Sequence, residues 1–235
     1  MMAWSFLSSK PWMVLLGVVQ ILMPVGFVIG LSFLFQDITP SIARYLITGT
    51  PTLVLLTMGM DLVPQMVATR RLQGTHDFLL SLPVPRIVLL ASDVTIFFLL
   101  TIPGIIITLF LGSVYHNFTL QVSPLVIPVF ILISLTGSCV GYAIALGVPR
   151  PQMANIASQI LLFFIVFFSP VIYSAEQLPP WLATIHSVLP IKYMADLTRG
   201  SLSDVEVNIG RAFVITGVWC ITSFLFCYLV MKKRF

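Results

Sequence analysis

Six apolar runs, at residues 12–35, 42–68, 87–114, 124–148, 153–173 and 212–231, constrain this chain more than any other feature of its sequence. Each is long enough to cross a bilayer, which takes about 20 predominantly apolar residues. Hydrocarbon offers the backbone no hydrogen bonds, so each run is expected to satisfy its own N–H and C=O groups as a helix. Little chain remains between the runs, and charged residues make up only 9% of the 235, against about a quarter in a soluble domain. An ordinary soluble enzyme is therefore excluded, and no separate catalytic domain fits. The expected fold is an all-α membrane protein with six transmembrane helices in a single domain over residues 1–235.

The first run follows Lys10, is too long for the apolar region of an export signal, and ends without a small-residue cleavage site. It reads as the first span. An even number of spans places both termini on one side. With the termini inside, the inner connections hold Lys10, Arg70, Arg71, Arg86, Arg150, Lys232, Lys233 and Arg234, and the outer ones hold Arg44, Lys192, Arg199 and Arg211. Eight of the 12 cations inside against four outside favour cytoplasmic termini in a multi-pass protein of the cell (inner) membrane. The net charge of +4 thus belongs to topology and gives no reason to expect nucleic acid. Cys139, Cys220 and Cys227 all fall in apolar runs, and the last two lie too far apart along one helix to bridge.

Chemistry-bearing motifs are scarce. A phosphate-binding P-loop needs Lys directly after Gly, whereas the four lysines follow Ser9, Ile191, Met231 and Lys232. His76, His116 and His186 lie in three separate connections, with no cysteine at ligand spacing. No enzymatic activity or metal site is expected, and the chain does not bind and hydrolyse ATP by the P-loop route alone.

Two connections carry more than a turn requires. In 69–86, Leu72, Leu79 and Leu82 recur near helical spacing among Arg71, Gln73, His76 and Asp77, before Pro83 and Pro85. This predicts an amphipathic helix of about ten residues, a rod of about 15 Å. It suits either docking by a cytoplasmic partner or simple rest on lipid headgroups. In 174–211, Leu178, Trp181, Leu182, Ile185, Val188 and Leu189 are too apolar for an aqueous loop, and Pro170, Pro179, Pro180 and Pro190 divide the region into short helical pieces. Pro170 stands where the fifth span should end.

Gly74-Thr75-x-Asp77-x-Leu79-Leu80 followed by Pro83-x-x-Arg86 resembles the coupling-helix signature of ABC-2-type transporter membrane subunits, the permeases of type V ABC exporters. The outer segment is similar to that family's C-terminal signature. It reads Ser169-Pro170-Val171-Ile172-Tyr173, then Leu178-Pro179-Pro180-Trp181, then Leu189 to Gly200 with Pro190, Tyr193, Asp196 and Arg199. Two motifs in order, on the expected sides of a six-span plan, extend the resemblance over essentially the whole chain.

The resemblance implies an ATP-driven exporter in which two cytoplasmic ABC ATPase subunits, carrying ATP and Mg, dock on region 71–82. Arg71, Gly74, Thr75, Asp77, Leu79, Leu80, Pro83 and Arg86 would then serve coupling. It also implies a second permease subunit, taken as an identical copy, around a central route, and a re-entrant exit gate containing Pro170, Tyr173, Pro190, Tyr193, Asp196 and Arg199. Two features depart from the family pattern. Arg70, Arg71 and Leu72 stand where acidic residues often precede the Gly-Thr pair, and the N-terminal amphipathic helix is reduced to residues 1–10, with Trp4, Phe6 and Leu7.

Some residues remain open between structural and functional roles. Lys192, Asp196 and Arg199 share one helical face by spacing, as a solvated cluster contributing a few tenths of a kcal/mol or as a latch on the gate. Asp61 and Asp93 are the acids deepest in apolar runs, each about 11 Å of helix from the inner surface, where water or a nearby arginine can assist. Intramembrane acids are functional candidates by default, and Asp61 is expected to face the protein interior. Phe163, Phe164, Phe167 and Phe168 form one aromatic face on the fifth span, for packing or for the route that the family places there. The expected substrate is a hydrophobic small molecule, drug or lipid-like compound. Lipid-linked polysaccharide is the alternative, followed by a non-ABC channel or secondary carrier and then by a structural scaffold.

Overall fold

A computed structural model describes residues 17–30, 32, 33, 39–81, 85–205 and 207–234, the side chains of His76, Asp77, Leu80, Arg86 and 231–234 excepted. The segment 1–10, both ends of the first apolar run and Pro83 lie outside the described residues.

Every regular element among the described residues is helical. The helices are α1 (Gly17–Gly30), α2 (Pro40–Thr57), α3 (Val63–Leu72), α4 (Thr75–Ser81), α5 (Arg86–Tyr115), α6 (Val126–Gly147), α7 (Pro151–Phe168), α8 (Pro180–His186), α9 (Pro190–Leu202) and α10 (Ile209–Arg234). Five stretches have the length and apolarity to cross a membrane: Pro40–Leu72, Ile87–Tyr115, Val126–Gly147, Pro151–Phe168 and Ile209–Val230. The first expected span is represented by α1, which is apolar but shorter.

Proline sets the boundaries. Pro40, Pro151, Pro180 and Pro190 each open a helix at its first position, where a missing N–H costs nothing. The residue before each is extended, with ψ of 152° at Thr39, 130° at Arg150, 145° at Pro179 and 144° at Leu189, because the proline ring excludes helical geometry there. The same effect shortens the fifth span. It ends at Phe168 rather than continuing to 173, since Ser169 turns extended at ψ 140° ahead of Pro170.

Between α2 and α3 the helix passes through a π-helical turn, Met58–Leu62. Pro64 cannot donate to the Met60 carbonyl, and its ring would press on it in a regular helix. The chain instead widens by one residue, with the Val63 N–H donating to the Met58 carbonyl. The rod remains continuous, so the second span runs to Leu72, beyond the expected 68.

The rod is the most enclosed span, 89% buried over its most apolar window, and α6 follows at 67%. Leu55, Leu56, Ile133, Ile165, Met194 and Leu197 form one core region, and Val63, Val67, Tyr142, Leu146, Ala154 and Cys227 another. The rod and α6 meet at glycines. A Cβ on Gly59 would lie 2.5 Å from the Gly137 carbonyl carbon, and one on Gly141 would strike the Gly59 backbone. Small residues four apart permit this close crossing. By contrast α7 is only 17% buried and α10 22%, so both turn most of their surface away from this chain.

Candidate functional site

At one end of the bundle the rod stops and α4 begins. Gln73 closes α3, and Gly74 then takes φ +70°, a left-handed conformation that glycine adopts without penalty. The Gly74 carbonyl accepts the Phe78 N–H at 3.3 Å, which starts α4. Because this turn redirects the chain, Leu72 belongs to α3, where it is 55% exposed, and α4 starts at Thr75, with seven residues among those described. Leu79 is buried while Phe78 is 58% exposed, so α4 is anchored by one face and open on another. Arg71 turns back toward the bundle and donates from Nη1 to the carbonyls of Ala145, at 2.5 Å, and Val148, at 3.4 Å. These carbonyls lie at the C-terminal end of α6, where partners in the helix run out.

Two buried carboxylates sit near this end, and they differ. Asp93 on α5 is 1% exposed and takes a two-pronged contact from Arg70 on α3, Nη1 to Oδ2 at 2.6 Å and Nη2 to Oδ1 at 3.2 Å. The Tyr142 hydroxyl on α6 donates to the same Oδ2. Three helices are thereby joined at one fully paired acid. Asp61, in the π-helical turn, is 9% exposed. Its Oδ1 accepts from Gln65 Nε2 at 2.8 Å, Ser158 Oγ at 3.2 Å and Gln159 Nε2 at 3.2 Å. It faces the interior, as its sequence position suggests, against the first half of α7.

The second half of α7 is aromatic. Phe163, Phe164 and Phe167 are 51%, 54% and 64% exposed, with Phe163 and Phe167 ring centres 4.9 Å apart and Phe164 and Phe168 5.4 Å apart. These rings contact one another yet are not packed into this chain's core.

At the opposite end, Arg199 on α9 organises the outer signature. It is 3% exposed, pairs through Nη1 with Asp196 Oδ1 at 3.0 Å, and donates through Nη2 to the carbonyls of Pro170, at 3.1 Å, and Val171. Its guanidinium lies 4.4 Å from the Tyr45 ring centre. A solvated pair is thus the wrong description of Asp196 and Arg199. Burial raises the Asp196 pKa above the ordinary carboxylate value despite Arg199 beside it, and lowers that of Arg199. Lys192 stands apart, 5.9 Å from the Tyr193 ring centre. Tyr193 donates its hydroxyl to the Ser187 carbonyl at 2.7 Å, Tyr173 to the Phe167 carbonyl at 3.2 Å, and Trp219 Nε1 to the Val188 carbonyl at 3.0 Å. His186 is 3% exposed with Nδ1 unpartnered, and burial is the main cause of its lowered pKa.

A model of the family described as ABC-2 type transporter matches residues 2–203, from before the first apolar run to the end of α9. The chain belongs to the ABC-2 type transporter family. It is accordingly a multi-pass membrane protein and the permease component of an ABC transporter, a class that normally works with an ATPase subunit. Among curated proteins none matches the chain.

Within this ABC-2 permease, Pro170, Asp196 and Arg199 come together at one guanidinium, whereas Tyr173 and Tyr193 satisfy separate helix-end carbonyls. Asp61 is joined to Ser158 and Gln159, one turn before the phenylalanines. Sequence reading missed Tyr142, Tyr45, Gln65 and Gln159. Gln65 alone carried a signal, being four residues from Asp61 and therefore on the same helix face. The others come from different helices, and only packing joins them.

Proposed function

We propose that the chain is the membrane-spanning half of an ATP-driven type V exporter, working as a homodimer with two cytoplasmic ABC ATPase subunits that hold ATP and Mg. Both termini face the cytoplasm, in the inner membrane. The cargo is a hydrophobic small molecule, drug or lipid-like compound moved outward. The observation that carries this reading is the mounting of α4, a short helix half open to solvent and hung by the Gly74 turn from the most buried rod of the bundle. A partner gripping α4 would act on that rod. Just before the turn, Arg70 holds α5 and Arg71 holds α6, so displacement of the rod's end is shared by three spans. In this scheme Gly74, Thr75, Asp77, Leu79, Leu80, Pro83 and Arg86 belong to the docking region, while Arg71 acts inside the bundle. The Arg199 cluster stiffens the exit, and Asp61 with the phenylalanine face lines the route.

The test is ATP hydrolysis by the chain purified with its ATPase partner, using Gly74→Pro and Asp77→Arg. Proline cannot adopt φ +70°, so the first variant removes the turn, and the second reverses a charge on α4. Loss of permease-dependent ATP hydrolysis in both, with the bundle still folded, is the expected result. Unchanged coupling in both, or no association with an ATPase, refutes the reading.

A further inference from the structure

The two buried acids of the bundle are compensated unequally. Asp93 has a cation and a hydroxyl on its oxygens, whereas Asp61 has no ion pair among the described residues. Its three donors are neutral, and all three converge on Oδ1. Oδ2 accepts none of these hydrogen bonds, and the residue keeps 9% of its surface exposed. A carboxylate within a membrane span with one oxygen unpartnered is costly, and it is held by a π-helical turn, a distortion often found at functional sites.

What lies beside it defines the complement. Gln159, which donates to Asp61, is on the exposed face of α7. Phe163 and Phe167 follow at four and eight residues, about 6 and 12 Å along the helix. The Asp61 carboxyl therefore lies, through Gln159, at the start of an exposed aromatic surface whose extent matches the length of a small amphiphile. Aromatic faces also attract organic cations, so charge and apolar surface favour the same ligand.

We propose that Asp61 and the Phe163, Phe164 and Phe167 face form a subsite for an amphiphilic organic cation, with the cationic head at Asp61 Oδ2 and the apolar body along α7. This rests on the permease reading and narrows its cargo to molecules carrying a positive charge. Neutral lipids and uncharged glycans lack the group that Asp61 would pair with.

The test uses the full chain in lipid nanodiscs without any ATPase, with radiolabelled tetraphenylphosphonium as the permanent cation and triphenylphosphine oxide as its neutral counterpart. Asp61→Asn should weaken binding of the cation about tenfold or more, the scale of a charge-assisted contact, and leave the neutral compound unchanged. Asp61→Glu should retain cation binding, which separates charge from folding should the Asn variant prove unstable. Phe164→Ala should weaken both ligands. Absence of cation binding by the unsubstituted chain, or equal loss of both ligands in Asp61→Asn, overturns the proposal. So does an Asp61 that only takes up a proton, seen as pH-dependent behaviour abolished by Asp61→Asn without any cation bound. If the α4 variants uncouple hydrolysis while the cation fails to bind, the subsite falls and the permease reading stands.

Discussion

The glycine crossing between the π-helical turn and α6 gives the sharpest test of how the bundle is held. In Gly59→Ala the new Cβ would lie 2.5 Å from the Gly137 carbonyl carbon, 2.6 Å from the Ser138 nitrogen and 2.9 Å from the Gly137 Cα. All three are backbone atoms, so no side-chain rotation relieves the contact. Carbon atoms settle at about 3.5–4.0 Å, and a radial gap of 0.5–1 Å forfeits a quarter to a half of each surrounding contact. Moving the two helices apart by about 1 Å therefore loosens the whole crossing. The expected cost is that of overpacking, about 1–3 kcal/mol, which for a chain of this size lowers the melting temperature by about 2–12 °C. The control is Gly217→Ala in α10, where nothing lies within 4 Å of the new Cβ. There the backbone gains about 0.5–1 kcal/mol from the loss of glycine's freedom in the unfolded chain. Thermal unfolding of both variants in one detergent, followed by loss of the monodisperse chromatographic peak, makes the comparison. A Gly59→Ala protein that melts with the parent, or a Gly217→Ala protein that falls equally far, refutes the reasoning.

Asp93→Leu strands the Arg70 guanidinium and is expected to cost about 3–5 kcal/mol, whereas the double variant Arg70→Met with Asp93→Leu recovers most of it. A double-mutant cycle on melting temperature measures this, and strict additivity would show that the pair is uncoupled. Near the opposite end, the His186 pKa lies below its ordinary 6.5 because burial favours the neutral ring. The unfolded chain then binds the proton more readily, so stability is lost as pH falls through about 6.5 toward the folded value. Melting followed from about pH 7.5 to 5.5 should decline less in His186→Gln, and parallel profiles would contradict this origin.

Five of the six expected spans were readable because apolar length depends on local chemistry. Apolar length marked the membrane helices, and Pro180 and Pro190 divided the outer region into its short helices. The errors were also local in cause. The fifth span stops at Phe168 because Pro170 acts one residue ahead of itself, and Leu72 falls outside α4 because Gly74 takes a positive φ that the helical spacing of the leucines does not reveal. The polar sites were half readable. Asp61 and Asp93 stood out as charges in apolar runs and Arg199 by its motif and its spacing from Asp196, but what each met depended on residues far away in sequence: Tyr142 lies 49 positions from Asp93, and Ser158 lies 97 from Asp61. No periodicity carries that information. The solvated description of Arg199 failed for the same reason, since the carbonyls it meets are freed only when α7 ends.

The rod from Pro40 to Leu72 ties these features into one mechanical element. Its 33 residues span about 50 Å at 1.5 Å per residue. Near one end Gly49 lies against the Val171 carbonyl, the same oxygen that Arg199 grips. Near the other end Arg70 and Arg71 reach α5 and α6, and Gly74 releases α4. A force applied at α4 would therefore be felt at both polar ends if the rod were uniformly stiff. Its regular α-helical hydrogen bonding gives way at Met58–Leu62, where the helix widens ahead of Pro64. That turn also holds Gly59, pinned against α6, and Asp61, bonded to α7. The π-helical turn is thus where the rod departs from regular helix and also where it meets both α6 and α7. Bending there would change the surroundings of Asp61 before it disturbed the Arg199 cluster.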